Sequence, residues 1–245
     1  MANFWKLVDR VIDEADIILM VIDARIIEET RNKEIERKVH GAGKTLITVI
    51  NKADLVEKEK LEPYKKLLHP CVFVSAQKFY GMTMLRHTIL RFSEGREVVV
   101  GVVGYPNTGK SSVINALKGK ASAGVSSQSG FTKGRQLIRV DGKMIILDTP
   151  GVLADTDEKK SARLVVTAST TETKDPEGAV FKLLETHKDI LLKHYDVTIE
   201  KGADEEEILE TIALKLNRKK QGGLPDTLTA AKIILRDWQK GNIQV

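Results

Sequence analysis

An almost unbroken apolar run, EVVVGVVG (Glu97 to Gly104), leads straight into GYPNTGKSS (Gly104 to Ser112). This pair constrains the chain more than any other feature. The first segment reads as a strand buried on both faces, the pattern of a parallel sheet. The second satisfies G-x-x-x-x-G-K-[ST] with Gly104, Gly109, Lys110 and Ser111, and the residues to about Leu117 read as a helix. Strand, glycine turn and helix in that order make a cradle for phosphate. Glycines let backbone N–H groups wrap an anion, and a helix N-terminus adds partial positive charge. Lys110 then reaches the β- and γ-phosphates of a nucleotide and the Ser111 hydroxyl ligates Mg²⁺, while Thr108, Gly109 and Ser112 line the phosphates. A second segment, GAGKT (Gly41 to Thr45), fails the same test: its first glycine would fall on Lys38, and it precedes a strand. It reads as a turn after a helix, with Gly41 near the C-cap.

Four further segments carry candidate ligands. DTPG (Asp148 to Gly151) closes the apolar strand MIILD. An aspartate there holds Mg²⁺ through water, and the Gly151 N–H contacts the γ-phosphate. Between the two lies SGFTKG, whose Thr132 is the candidate second hydroxyl ligand of Mg²⁺; the alternative is a polar loop residue. NKAD (Asn51 to Asp54) ends another strand. Asp54 can accept hydrogen bonds from guanine N1–H and the 2-amino group, Asn51 can contact another edge of the base, and the Lys52 stem can lie along the ring face. Adenine offers neither donor to Asp54, and hydrogen bonds to a charged group are worth about 1.5–3 kcal/mol each. Ser75 and Ala76 follow the next strand, with the Ala76 N–H in reach of guanine O6. Ligands of α/β sheets bind at such carboxyl ends of strands.

The order is unusual: NKAD and Ser75-Ala76 precede the phosphate loop, and Thr132 and DTPG follow it. This is the ordinary GTPase order cut after DTPG and rejoined through a helix, Met82 to Phe92. Permutation leaves a sheet unchanged, because termini are surface features and often close together. Short apolar runs alternating with amphipathic stretches support the same α/β class. Helices are expected at Phe4 to Ile12, Thr30 to Val39 and Glu57 to Leu68. Strands are expected at Ile17 to Ile22, Leu46 to Ile50 and Val72 to Val74. A hairpin turns at Asp141-Gly142. Gly119 to Gly134 reads as a long loop. Beyond about Arg163 the patterning is helical, with the last helix starting after Pro225. The expectation is a circularly permuted Ras-like P-loop GTPase domain with a mostly parallel sheet, residues 1–160, followed by a small all-α C-terminal domain, residues 161–245. Movement of a γ-phosphate-dependent switch would then pull directly on that second domain.

Composition narrows the setting. Apolar residues at 42% with 30% charged residues fit a soluble globular protein. No apolar run is long enough to span a bilayer, and no signal peptide is evident. The single cysteine, Cys71, excludes an internal disulfide and a cysteine-rich zinc site; a buried strand position is expected for it. These features favour the cytoplasm; a monomer is the separate expectation. A net charge of +5, from 39 basic and 34 acidic residues, permits RNA as a partner without demanding it. Asn217 to Lys220, NRKK, reads either as an RNA contact or as a solvated helix end.

Taken with VIDARI near the first strand (Asp23, Ala24, Arg25), NKAD, GYPNTGKSS, GFTKG and LDTPG, the chain resembles the circularly permuted GTPases of the YlqF/YawG type. The resemblance spans nearly the whole chain, including the C-terminal KLNRKKQGGLPDTLTAAKIILRDWQKGNI. It implies a GTP/GDP-binding, Mg²⁺-dependent GTPase acting in large ribosomal subunit assembly, with ribosomal RNA or a large-subunit particle as partner and neither DNA nor a membrane. Ile26 and Ile27 stand where many relatives have proline shortly after Asp-Ala-Arg. The first histidine is His40, so a histidine mechanism proposed for some relatives does not transfer. Arg25 is open between a partner or switch contact and an exposed salt bridge. Val152 occupies the position of the water-orienting Gln of ordinary GTPases, which implies slow hydrolysis resting on Lys110, Thr132, Gly151 and Mg²⁺. Asn107 resembles the asparagine of GTPases that hold K⁺ beside the phosphates; the alternative is a residue that stabilises the turn. Two other functions stay open: a GTP-dependent regulator of a protein partner without RNA contact, and an ATP-dependent enzyme in which NKAD is accidental.

Overall fold

The computed structural model describes residues 2–119, 136–148 and 175–245. The chain divides into two compact units, Met1–Thr156 and Asp157–Val245. The first is built on a six-stranded sheet in the order β3-β2-β1-β4-β6-β5. Its strands are β1 (Ile17–Asp23), β2 (Thr45–Asn51), β3 (Cys71–Phe73), β4 (Val98–Val103), β5 (Gln136–Asp141) and β6 (Met144–Asp148). All neighbours are parallel except β5 and β6, which form the antiparallel hairpin expected at Asp141-Gly142. The strand that leads into the phosphate loop, β4, is fourth in the chain yet lies inside the sheet, between β1 and β6. That is the permuted arrangement the motif order predicts.

Helices cover both faces, which is why β1 is buried at all seven positions. Alternate residues serve opposite layers. Leu19 and Val21 join the layer that contains Leu85 and Ile89 of α5 (Met82–Phe92) and Val113 and Leu117 of α6 (Lys110–Lys118). Ile18, Met20 and Ile22 join the other, with Val8, Val11 and Ile12 of α1 (Ala2–Glu14) and Leu61 of α4 (Lys58–Leu67). Burying each such side chain is worth roughly 1.5–3 kcal/mol. Gly101 on β4 admits α1: a Cβ there would sit 2.5 Å from Val11 Cγ1.

The helix expected from Thr30 to Val39 is divided. A single-turn helix, α2 (Ile27–Thr30), ends before Arg31, and α3 runs from Lys33 to Gly41. Asn32 makes the break, because its side-chain oxygen caps the N–H groups of Glu34 and Ile35. Gly41 ends α3 as expected. Cys71 departs from expectation: β3 is an edge strand, and the thiol is half-buried, with burial raising its pKa.

In the second unit the described residues form α7 (Pro176–Tyr195), α8 (Glu205–Lys215) and α9 (Thr227–Lys240). Each start is capped by an aspartate: Asp175 accepts from the Gly178 N–H, Asp204 forms a capping box with Glu207, and Asp226 accepts from the Thr229 N–H. Leu183 and Leu191 of α7, Ile212 of α8, and Ile234 and Trp238 of α9 are buried. Among the described residues no helix is long and apolar enough to cross a membrane.

Candidate functional site

Asp23 and Asn51 close β1 and β2, and Ser75 and Gly104 lie in the loops that leave β3 and β4. The register aligns Asp23 with Asn51 and Ile50 with Phe73, so sequence positions far apart meet at one rim of the sheet.

The phosphate loop has the backbone the motif demands. Gly104 adopts φ 144°, and a Cβ there would lie 2.3 Å from the Val21 carbonyl oxygen. Only glycine lets the loop press against β1. Gly109 adopts φ 94°, and a Cβ there would meet Asn51 Nδ2 at 2.2 Å. Asn107, at φ 58°, takes the left-handed conformation asparagine tolerates. The Tyr105 carbonyl accepts from Lys110 Nζ at 2.7 Å and from Thr108 Oγ1 at 2.9 Å. Lys110 is therefore folded across its own loop. Burial lowers its pKa to about 8, so the ammonium is poised to gain from an anion. Asn32 Nδ2, at the start of α3, donates to the Tyr105 hydroxyl at 3.2 Å. Ser111 and Ser112 lie in the exposed first turn of α6.

The guanine-reading loops join the phosphate loop through one side chain. Asn51, only 3% exposed, donates through Nδ2 to the Thr108 carbonyl at 2.9 Å. Its Oδ1 accepts from the Ala76 N–H at 3.1 Å. Asn51 and Ala76, expected to face the base separately, thus hold each other and the phosphate loop. The reason is reach: a short amide between two backbone groups satisfies both at once. Asp54 faces Lys78 Nζ at 3.1 Å. Burial opposes its ionisation, but hydrogen bonds from Ser75 and Lys78 prevail and keep its pKa below the ordinary carboxylate value. The Ala53 N–H donates to the Val74 carbonyl at 3.0 Å, which ties the NKAD turn to the Ser75-Ala76 turn.

Lys52 and Arg25 were only partly legible in the sequence. Lys52 Nζ pairs with Asp23 Oδ2 at 2.8 Å. Arg25 grips the same carboxylate in a fork, Nε to Oδ1 at 3.0 Å and Nη2 to Oδ2 at 2.8 Å. The Arg25 side chain is 0% exposed, so its ion pair is a buried one and not the exposed salt bridge. Burial works against the Asp23 charge, yet Arg25 and Lys52 together hold its pKa down at about 2. Burial likewise lowers the pKa of Lys52 despite Asp23. Asp23 is the residue missed by the reading of the site. Its signal was an aspartate closing an otherwise wholly apolar strand. Its partner Lys52, inside NKAD, adopts a left-handed φ of 60°.

Asp148 ends β6, next to β4. Thr132, Gly151 and Val152 lie outside the described residues, as does the expected loop at 120–134. Among the described residues no group of three or more His, Cys, Asp or Glu side chains is placed to hold a metal ion.

Two family profiles match the chain: the 50S ribosome-binding GTPase over residues 99–221 and the RsgA GTPase over residues 8–155. The chain belongs to the circularly permuted, ribosome-biogenesis-type GTPases. The first profile begins at β4, where an unpermuted GTPase would start. This GTPase is 40% identical over 97% of its length to an uncharacterized GTP-binding protein of Methanocaldococcus jannaschii, and spans 65% of that relative. It is 32% identical to nuclear/nucleolar GTPase 2 of Arabidopsis thaliana over 98% of its length, and spans 44% of it. It is 30% identical to GTPase grn1 of Schizosaccharomyces pombe over 96% of its length, and spans 59% of it. The chain thus spans less than two thirds of each of these curated relatives. In fold it is similar to GNP-bound YlqF from T. maritima, with a TM-score of 0.65 and 23% identity over 97% of this chain and 93% of that one. The GDP-bound form gives the same TM-score.

Proposed function

We propose that this GTPase binds GTP and hydrolyses it slowly as a switch in the assembly of the large ribosomal subunit. The observation that carries the guanine reading is the Asn51 bridge between the phosphate loop and the Ala76 turn. It sets Asp54 beside the same rim, with its carboxylate kept ionised to accept from the base. Lys110 and the N-terminus of α6 receive the β- and γ-phosphates. Ser111, with Thr132 and Asp148, holds Mg²⁺, which would neutralise charge on the phosphates. Slow turnover follows from Val152, whose side chain has no atom that can orient water. Asn107, with Thr108, Gly109 and Ser112 around the phosphates, is the proposed K⁺ ligand; equal turnover in K⁺ and Na⁺ would remove that role.

The ribosomal reading is supported by the match to the 50S ribosome-binding GTPase family and by the nucleolar GTPases among its relatives. We place the protein in the cytoplasm as a monomer. Co-sedimentation with large subunits, with and without a non-hydrolysable GTP analogue, tests it. Binding that depends on the analogue is expected. Capture of a protein partner by a particle-free, RNase-treated extract would favour the regulator instead, and equal competition by ATP would overturn the guanine reading.

A further inference from the structure

From Pro63 to Ser93 the chain contains no Asp or Glu, although 34 of its 245 residues are acidic. The same stretch carries Lys65, Lys66, Lys78, Arg86 and Arg91. It forms the outer half of α4, the edge strand β3, the turn beyond it and α5. Some of these charges are engaged: Lys65 reaches Glu62 at 3.8 Å, Lys78 pairs with Asp54, and Arg86 donates to the Leu117 carbonyl. The edge nevertheless has no acids of its own between those contacts.

On this basic edge stand two aromatic rings that the core does not use. Phe79 is 62% exposed and Tyr80 is 65% exposed. Met84, one helical turn further along α5, is exposed as well. The turn that carries the rings is rigid. Ser75 and Tyr80 exchange two backbone hydrogen bonds, at 3.0 and 3.1 Å. The Lys78 N–H donates to Ser75 Oγ at 3.2 Å. Gly81 lies so close to β3 that a Cβ would fall 2.1 Å from the Phe73 carbonyl oxygen. Phe79 itself adopts φ 59°, a conformation that bulky residues rarely take and that costs roughly 1–3 kcal/mol. A strained phenylalanine held out in water does nothing for the fold.

We infer that this edge is a contact surface for unpaired RNA bases, which stack on Phe79 and Tyr80 while the phosphates follow the cations. Polyanion is the occupant that an acid-free basic edge selects, and flat rings at fixed positions are how proteins hold splayed-out bases. The inference rests on the ribosomal reading above and adds a place on the nucleotide-binding unit itself, apart from Asn217 to Lys220. It has a further consequence. The ring-bearing turn also supplies Ser75, Ala76 and Lys78, so RNA held there and guanine nucleotide held by Asp54 share one rigid element. Any effect of one ligand on the affinity of the other is then equal in both directions.

The test is fluorescence anisotropy with a labelled single-stranded RNA 12-mer on the full chain, beside co-sedimentation with large-subunit particles. Phe79→Asn keeps the left-handed turn, since asparagine accepts that φ, and Tyr80→Thr keeps the strand-like pairing. The double variant should melt with the parent and bind the 12-mer on the order of tenfold or more weakly per lost stack. Its salt dependence should be unchanged, whereas Lys66→Ala/Arg91→Ala should flatten it. Phe79→Tyr should bind normally. Equal RNA affinity in the double variant overturns the inference, as does a photo-crosslinking group at position 79 that captures only protein. If the parent chain fails to bind particles, the ribosomal reading fails, and the 12-mer result still decides the surface.

Discussion

Replacing Asn51 tests the architecture of the site most directly. The amide is buried between the Thr108 carbonyl, 2.9 Å from Nδ2, and the Ala76 N–H, 3.1 Å from Oδ1. Asn51→Ala leaves both backbone groups buried and unpaired, since Thr108 and Ala76 are only 1% and 6% exposed. Each orphaned group costs about 1–3 kcal/mol, so the loss sums to roughly 2–5 kcal/mol once some relaxation is allowed. In the nucleotide-binding unit that corresponds to a fall in Tm of about 5–15 °C. GDP affinity should fall about tenfold to a hundredfold, because the two loops must then be ordered by the ligand. Asn51→Asp is the sharper variant. It keeps the bond to the Ala76 N–H but sets a carboxylate oxygen against the Thr108 carbonyl, so it should weaken GDP binding more than alanine does. Calorimetric melting and titration with GDP measure both. An alanine variant that melts within about 1 °C of the parent and binds GDP within twofold would show that the amide does not tie the loops together.

Other expectations follow from the charges. Lys110 titrates at about 8 in the folded chain against 10.5 as a free side chain. The unfolded chain therefore holds the extra proton between those values, and stability without nucleotide should rise with pH across that window. GDP affinity should fall above pH 8 over the same window, and Lys110→Arg should abolish the dependence; a flat affinity profile for the parent refutes the assignment. Asp23 is lowered from 3.8 to about 2, so its contribution to stability is complete above pH 3.8 and should be lost as pH falls toward 2, as acid titration of the parent against Asp23→Asn will report. At neutral pH Asp23→Asn leaves the buried Arg25 and Lys52 underpaired and should cost about 3–5 kcal/mol in urea unfolding. Asp54→Asn replaces an acceptor with a donor. It should lose GDP and gain xanthosine diphosphate, which carries a carbonyl in place of the 2-amino group; unchanged preference for GDP in a competition assay would remove Asp54 from base recognition.

Much of the fold could be read directly from local pattern. The glycines of GYPNTGKS and the apolar run before them set a strand, a turn and a helix, because those constraints act between near neighbours. The order NKAD, phosphate loop, DTPG dictated the permuted sheet, and Asp226 after Pro225 marked the start of the last helix. Even the break at Asn32 had a local cause, an N-cap within a charged run that periodicity alone reads as one helix. What pattern could not supply was the identity of partners. That Asn51 also links two loops was not legible, because β2 and the phosphate loop meet only after the sheet forms. Arg25 looked like a surface charge and is buried, because the sheet delivers Asp23 and Lys52 to the same point and makes that burial affordable. Nothing in the local pattern marks Phe79 as exposed, yet it is. The close approach of Gly81 to β3 turns it outward, and only the tertiary structure decides which way a ring at the end of such a turn will face.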